Sequence, residues 1–178
     1  LKVIAKHADV IVKALKDKGI SINFDDRDTF RPGAKFAEYE LKGIPVRIAM
    51  GNRDLQNNTV EVARRDTLEK QLISKDIVVD FVIDLLEKIQ KNLFDKAINY
   101  RDQHITEVNS FDQFKDVIKN KGGFISAYWD GTKETEDRIK ELTKATIRCI
   151  PENWDQQKGR CVLTGKESVA RVLFAKAY

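Results

Sequence analysis

The chain of 178 residues contains few of the residues that most often build disulfides, metal sites and nucleophiles, with two cysteines and two histidines. Because only Cys149 and Cys161 are present, a disulfide framework is not expected, and a reducing, cytoplasmic compartment is the simpler expectation. His7 and His104 lie far apart in the chain, and neither has a partner at metal-ligand spacing. Both are expected to be ordinary surface or helix-end histidines.

Several familiar signals are also absent. No apolar run approaches the length that spans a membrane, and the charges spread through residues 1–19 argue against a signal peptide. The chain has no glycine-rich phosphate loop, no H-E-x-x-H zinc motif and no G-x-S-x-G nucleophile motif. These absences narrow the classes of enzyme to which the chain can belong.

The charge that is present is distributed unevenly. The formal net charge is +4, and 42% of the residues are hydrophobic, which is enough to bury a core. Residues 1–75 contain 15 lysines and arginines against 11 acids, whereas residues 76–178 contain 17 of each. An acidic partner is therefore expected to prefer the first part of the chain.

Hydrophobic spacing and turn residues predict an α/β fold in which a domain with a small mixed sheet is joined by a long helix to a smaller α+β domain. The predicted boundaries are 1–75 for the first domain, 76–105 for the long connecting helix and 106–178 for the second. The predicted strands are Ile20–Phe24, Pro45–Met50, Thr59–Arg65, Gly123–Trp129, Ala145–Ile150 and Ala170–Ala177, and the predicted helices include Ala34–Lys42, Asp76–Arg101, Phe111–Asn120 and Lys133–Lys144.

The helix Ala34–Lys42 carries the first candidate binding residues. Its positions Ala34, Ala37 and Leu41 form an apolar stripe that is expected to pack on the sheet, whereas Phe36 and Glu40 stand four residues apart on another face. There Phe36 can stack on an unpaired base while Glu40 accepts hydrogen bonds from the edge of that base. The alternative is that Phe36 only fills a gap between the helix and a loop.

Further charged residues accumulate close to Phe36 in the sequence. Arg47 lies at the start of a predicted strand, and Arg53 and Asp54 are predicted to occupy a turn after Gly51. Guanine presents two adjacent donors, its ring N–H and its exocyclic amine, which Glu40 and Asp54 can accept, and an arginine can meet its carbonyl and ring nitrogen. This set of residues therefore favours guanine.

Asp25, Asp26 and Asp28 form a carboxylate cluster with two interpretations. Clustered carboxylates at a strand end can hold Mg²⁺. Alternatively, the aspartates shape a turn and pair with Arg27 and Arg31.

At the level of whole motifs, the chain resembles prolyl-tRNA synthetase. The resemblance to the class IIa anticodon-binding domain of that family lies in Asp25-Asp-Arg-Asp28, Pro32-Gly33-x-Lys35-Phe36, Glu40-Leu-Lys-Gly-Ile-Pro-Val-Arg47, Gly51-x-Arg-Asp-Leu55 and Arg64-Arg-Asp-Thr67. The resemblance to the extra C-terminal domain of the archaeal/eukaryotic-like branch lies in Trp129-Asp-Gly131, Thr143-Lys-Ala-Thr-Ile-Arg-Cys-Ile-Pro151 and Phe174-Ala-Lys-Ala-Tyr178.

The resemblance implies an aminoacyl-tRNA ligase that activates proline with ATP and Mg²⁺, charges tRNA(Pro) and dimerises through its catalytic domain. That domain is not visible in the sequence, nor is the opening strand of the anticodon-binding fold. The chain is therefore expected to be a C-terminal fragment, inactive alone, that binds tRNA and no membrane. The alternatives are a free-standing RNA-binding or interaction module and a small Mg²⁺-dependent hydrolase that uses the aspartate cluster.

The resemblance also assigns residues. It places Phe36, Glu40, Arg47, Arg53, Asp54 and Lys70 where the family contacts the anticodon. Of Arg64 and Arg65, which alternate across a strand, one at most is expected to face RNA while the other pairs with Glu61 or Asp66. In the intact enzyme, the terminal carboxylate of Tyr178 is expected to reach toward the active site.

One departure from the family concerns zinc. Relatives with a structural zinc carry four cysteines, whereas the corresponding positions here are Asp130, Thr135, Cys161 and Thr164. One thiolate and one carboxylate do not complete a tetrahedral site, so no zinc is expected. Packing is expected to stabilise this domain instead, through Phe124, Tyr128, Trp129 and Phe174.

Overall fold

A computed structural model describes residues 2–152 and 158–176. The chain divides into two compact units, Leu1–Lys96 and Ala97–Tyr178. The carboxylate predicted to act at Tyr178 lies outside the described residues, so its assignment stays a prediction.

The first unit opens with helix α1, Lys2–Asp17. Ile11 and Leu15 are four residues apart, which places them on one face of the helix, and both are buried. The helix stops where Gly19 adopts a φ of 80°, a left-handed conformation that glycine reaches without a Cβ clash. The amide of Ile20 then donates to the carbonyl of Leu15.

The sheet of the first unit has three strands in the order β1-β2-β3: β1 is Val46–Ala49, β2 is Thr59–Arg64 and β3 is Lys70–Ser74. Both pairings are antiparallel. Helix α2, Pro32–Leu41, precedes β1, and a short helix α3, Asn52–Gln56, connects β1 to β2. Val60 and Val62 of β2 are buried, so the central strand supplies the sheet's main contribution to the core.

Two strand predictions in this unit need correction. The segment Ile20–Phe24 is described as a loop and joins no sheet, so the sheet is antiparallel instead of mixed. Its apolar residues Ile20 and Ile22 still pack against the core, which explains why the pattern resembled a strand. Strand β3 was missed because its first three residues are exposed and carry no clear alternation of apolar and polar side chains.

The long helix α4, Val78–Gln103, is confirmed within two residues of its predicted bounds. Its buried positions are Val78, Val82, Leu85 and Ile89, which complete the core of the first unit with α1 and β2. Leu93, which continues the same helical spacing one turn beyond Ile89, is 49% exposed. The boundary between the units falls within this helix, at Lys96. Among the described residues, no helix has both the length and the hydropathy needed to cross a membrane.

The apolar stripe predicted for α2 is wrong. Ala34, Ala37 and Leu41 are exposed, and Leu41 is 88% exposed, more than any other large apolar residue described in the unit. The half-buried side of α2 instead carries Phe36 and Tyr39. Two alanines bury little area, so their spacing is a weaker signal than two aromatic rings three residues apart.

The second unit contains a mixed sheet in the order β4-β5-β9-β6, in which only the β4-β5 pair is parallel. Strand β4, which the sequence pattern missed, has only three residues. The elements are β4 Ile105–Glu107, α5 Phe111–Asp116, β5 Phe124–Tyr128, α6 Lys133–Thr143, β6 Ala145–Cys149, the short pair β7 Gly159–Arg160 and β8 Glu167–Ser168, and β9 Arg171–Lys176.

Helix α5 begins after Ser110, where the S-x-x-Q pattern of Ser110–Gln113 predicts a cap. The Ser110 hydroxyl accepts from the Gln113 amide, but the Gln113 side chain returns to the Asn109 amide and not to that of Ser110. After Asp116 the helix widens into a π-turn, Val117–Lys121, so the α-helical part is shorter than predicted.

The core of the second unit centres on Phe174 and Phe114, both fully buried, whose rings meet edge to face at 5.2 Å. Trp129 packs against this core, as expected. Phe124 and Tyr128, also predicted to stabilise the unit, are only half-buried at the two ends of β5. The sheet therefore buries the middle of each central strand.

Candidate nucleic-acid interface

A shallow cleft in the first unit brings together three of the six contact residues predicted from the sequence, Phe36, Glu40 and Arg47. It lies where the end of α2, the start of β1 and the end of β2 meet. It is lined by Phe36, Tyr39, Glu40, Ile44, Arg47, Ala63, Arg64 and Arg65.

Phe36 and Arg47 are stacked in this cleft. The guanidinium carbon of Arg47 lies 3.6 Å from the centroid of the Phe36 ring, a close cation–π contact. Arg47 Nη1 also donates to Glu61 Oε1 at 3.1 Å, and the side chain is only 12% exposed. Within the described part of the chain, Arg47 Nη2 is buried and has no hydrogen-bond partner. One face of the ring is therefore occupied by a fixed guanidinium.

Glu40 and Arg65 form the exposed side of the cleft. Glu40 lies near the end of α2, and its main-chain carbonyl accepts from Arg65 Nε at 2.8 Å. The Arg65 amide donates to the carbonyl of Pro45 at 2.9 Å, which fixes the strand end next to α2. Both side chains are exposed to solvent, so the carboxylate and the guanidinium are accessible together.

Arg64 is used differently from Arg65. It donates through Nε and Nη2 to both oxygens of Asp66, at 2.7 and 2.6 Å, and Asn92 of α4 donates to the same carboxylate. These bonds, that from Arg64 above all, lower the pKa of Asp66 to about 2. As the alternation along the strand predicted, one of the two arginines is taken up by a local pair.

Three predicted contact residues lie outside the lining of the cleft. Arg53 and Asp54 belong to α3, which corrects the predicted turn. Helix α3 forms because Asp54 Oδ2 accepts from the Gly51 amide at 2.8 Å and so satisfies a free donor at the helix start. Lys70 is exposed at the start of β3 and pairs in register with Ala63, which lines the cleft.

The aspartate cluster before α2 is organised around Asp25. Its carboxylate accepts from Arg27 Nε at 2.9 Å and Nη2 at 2.7 Å, and from Tyr39 Oη at 3.1 Å, while Lys35 Nζ lies 3.3 Å away. The bonds from Arg27 are the largest cause that holds the pKa of Asp25 well below its usual range. No group of three or more residues suited to hold a metal occurs in the described ranges. The geometry favours the turn over the Mg²⁺ alternative, because cationic groups already occupy both oxygens.

In the second unit, three of the four degenerate zinc positions form one polar cluster. Asp130 Oδ2 accepts from the hydroxyls of Thr135 at 2.9 Å and Thr164 at 2.8 Å, and its Oδ1 accepts from the amide and hydroxyl of Thr132. Burial raises the pKa of Asp130, but the combined hydrogen bonds outweigh burial and lower it. Cys161, at the fourth position, is buried. The carboxylate thus ties the turn after Cys161 to the start of α6.

The sequence analysis did not name Tyr39 of the cleft. Tyr39 follows Phe36 by three positions on α2, and this aromatic spacing was the signal that could have revealed it. Arg65 was expected only as one of a pair with Arg64, and no local signal chose between them, because the contact of Arg65 with Glu40 joins residues 25 apart in sequence.

Comparison with known proteins finds a matching family for each unit. Residues 2–85 match the family model described as an anticodon binding domain, and residues 111–178 match the one described as prolyl-tRNA synthetase, C-terminal. The chain is 60% identical over 171 residues to a proline–tRNA ligase of Flavobacterium psychrophilum, covering 96% of the chain and 35% of the ligase. It is 58% identical over 175 residues to a proline–tRNA ligase of Porphyromonas gingivalis, covering 98% and 35%.

The chain therefore spans about a third of the length of these curated relatives. The two matched families follow each other in the order that the sequence motifs indicated. The chain is built from an anticodon-binding domain followed by a prolyl-tRNA synthetase C-terminal domain.

Proposed function

We propose that the first unit binds the anticodon of tRNA(Pro) and recognises its guanines. The observation that carries this proposal is the cleft in which the Phe36 ring, the Glu40 carboxylate and exposed Arg65 lie together. An aromatic ring with a carboxylate and a guanidinium at its edge provides stacking, acceptors and donors for a single unpaired base.

The base stacks on the Phe36 face opposite Arg47. Because the Arg47 guanidinium occupies the other face at 3.6 Å, it holds the ring in place and adds positive charge behind it. Glu40 accepts from the ring N–H and amine of a guanine, and Asp54 serves a second base with the oxygen that is not bound to Gly51. Proline codons begin with CC, so the matching anticodon contains two guanines.

Arg53 and Lys70 are proposed to contribute charge around these bases. Both are exposed, at α3 and at the start of β3. Such residues bind phosphates and raise affinity without selecting a sequence, so their loss weakens binding to every tRNA and lowers its salt dependence.

For the whole protein, we propose the activity that its relatives' name states, ligation of proline to tRNA. ATP, Mg²⁺ and proline are bound by a catalytic domain that corresponds to sequence outside this chain, so the chain alone is expected not to charge tRNA. We also propose a cytoplasmic homodimer of the archaeal/eukaryotic-like branch. Support for the branch comes from the C-terminal family match and its motifs, although the relatives named above are bacterial.

We propose that the second unit needs no zinc. The support is chemical: the hydroxyls of Thr135 and Thr164 both donate to Asp130 Oδ2, and hydroxyls are poor ligands for Zn²⁺. Metal analysis of the purified protein tests this. Stoichiometric zinc that survives treatment with a chelator would contradict it.

The test of anticodon recognition is binding of tRNA(Pro) with each anticodon guanine replaced in turn by adenine. We expect roughly a tenfold or larger loss for each replacement, since one well-formed set of base contacts contributes about 1–3 kcal/mol. Glu40→Gln should reduce the discrimination at one position. Equal affinity of the unchanged protein for all three tRNAs would refute the proposal.

The matched control is Glu87→Gln. Glu87 is an exposed glutamate on α4 and is absent from the cleft lining. The substitution makes the same change in net charge as Glu40→Gln, so it should alter binding to all three tRNAs equally. A loss of discrimination in both variants would assign the effect to net charge and count against base recognition by Glu40.

A further inference from the structure

Three arginines line the cleft, and their pairing differs. Arg64 is bound by Asp66, and Arg47 lies under Phe36 and pairs with Glu61. Arg65 is the exposed one, and its contact with Glu40 uses only Nε. Within residues 2–152 and 158–176, its Nη1 and Nη2 atoms have no hydrogen-bond or ion-pair partner.

The position of Arg65 is fixed from two sides. Its Nε donates to the Glu40 carbonyl at 2.8 Å, and its own amide donates to Pro45 at 2.9 Å. The guanidinium is therefore held beside Glu40 before any ligand arrives, which reduces the entropy lost on binding. A planar guanidinium with two free donors suits a pair of adjacent acceptors.

Guanine has a pair of adjacent acceptors next to the two donors from which Glu40 would accept hydrogen bonds. Its ring N–H and amine lie on one edge, and its O6 and N7 acceptors follow around the ring. We infer that Arg65 donates through Nη1 and Nη2 to O6 and N7 of the guanine whose ring N–H and amine bind Glu40. This inference rests on the proposed function and adds a specificity-determining residue to it.

Arg47 is thereby assigned a positioning role. Its Nη1 pairs with Glu61 and its Nη2 is buried, so the two terminal nitrogens that would form a paired contact with a base are engaged or enclosed. Arg47 supports the stacking ring, and Arg65 contacts the base.

The test is a double-mutant cycle that combines a substitution of Arg65 with the removal of one atom from the base. Unchanged protein and Arg65→Gln are each measured with tRNA(Pro) and with tRNA(Pro) carrying 7-deazaguanine, which lacks N7, at one anticodon guanine at a time. At one of the two anticodon guanines, we expect loss of N7 to weaken tRNA binding by the unchanged protein roughly tenfold and to leave binding by Arg65→Gln unaffected. If the loss from Arg65→Gln and the loss from 7-deazaguanine simply multiply at both guanines, the inference is refuted.

Inosine, which lacks the guanine amine, separates contact from indirect effects. Arg65→Gln should retain the full inosine penalty, whereas Glu40→Gln should lose it. If Arg65→Gln abolishes the inosine and 7-deazaguanine penalties alike, Arg65 acts only by positioning Glu40 and the inference fails. Arg65→Lys should keep the salt dependence but lose the response to N7, because an ammonium cannot donate in two parallel directions.

Two further measurements complete the design. Arg138→Gln removes an exposed arginine of the second unit and should change none of these affinities. If Arg65 instead binds a phosphate, Arg65→Gln lowers the salt slope by about one and weakens both RNAs equally, which refutes the inference. The proposed function would survive that result, since it fails only if the unchanged protein does not discriminate guanine.

Discussion

Removal of the Asp130 carboxylate should destabilise the second unit strongly. In Asp130→Ala, the hydroxyl of Thr135 loses its acceptor in a site where that side chain is 5% exposed. An unsatisfied buried group costs about 1–3 kcal/mol, and each lost bond from Thr132 and Thr164 adds about 0.5–1 kcal/mol. We expect the free energy of unfolding to fall by about 3 kcal/mol.

Urea unfolding followed by tryptophan fluorescence measures this change. Both tryptophans, Trp129 and Trp154, belong by sequence to the second unit, so the signal reports on that unit and not on the first. Asp130→Asn should cost less, about 1 kcal/mol, because the amide keeps one acceptor oxygen. Asp137→Asn, an exposed change on α6, is the matched control and should stay within about 0.5 kcal/mol of the unchanged protein.

The pH dependence gives a second check. Because hydrogen bonds lower the pKa of folded Asp130, its contribution is complete above its unfolded pKa of about 3.9 and is lost as the pH falls through the lower folded value. The stability difference between Asp130→Asn and the unchanged protein should therefore shrink only below about pH 4. An Asp130→Ala protein as stable as the unchanged one at pH 7 would refute the reasoning.

Three more changes are predicted from packing and pairing. Gly159→Ala should lower the free energy of unfolding by about 1–3 kcal/mol, because the new Cβ would lie 2.3 Å from the Tyr128 ring. The loss should appear as a lower urea midpoint, and an unchanged midpoint would contradict this. Phe174→Ala, at a fully buried ring, should cost about 3–5 kcal/mol in the same assay, and a loss below 1 kcal/mol would show that the ring is not central. Asp66→Asn should lower the free energy of unfolding, followed by circular dichroism, by about 2 kcal/mol at pH 7. Because Arg64 lowers the pKa of Asp66, this difference from the unchanged protein should shrink as the pH falls from about 4 toward 2. A difference that stays constant would count against the Arg64–Asp66 pair.

The fold could be predicted wherever burial leaves a strong period in the sequence. The stripe through Val78, Val82, Leu85 and Ile89 predicted α4, and the cap at Ser110 located the start of α5. The prediction failed where elements are short or lightly buried. Strands β3 and β4 have too few buried residues for a period to appear, and α2 has no buried residue at all.

The site could be predicted only in part, because local spacing does not determine ion pairing. Spacing on α2 brought Phe36 and Glu40 to neighbouring positions, and both line the cleft. The resemblance to the family added Arg47 as a residue that contacts the anticodon. In the structure Arg47 pairs with Glu61, fourteen residues away, across the register Arg47↔Ala63 that places the two strands side by side, and spacing gave no sign of this pair.

The choice between the arginines follows from competition for carboxylates. Asp66 lies two residues from Arg64 and takes its guanidinium at 2.6 Å, and Glu61 takes that of Arg47 at 3.1 Å. Both pairs leave their arginine less than a fifth exposed, at 17% and 12%. Arg65, the residue that follows the end of β2, donates to a main-chain carbonyl, which accepts one hydrogen bond and neutralises no charge. The Arg65 guanidinium keeps its charge and two donor nitrogens, so it gains most from binding an acceptor on a ligand. The arginine available to RNA is therefore the one that remains after its neighbours have paired with carboxylates.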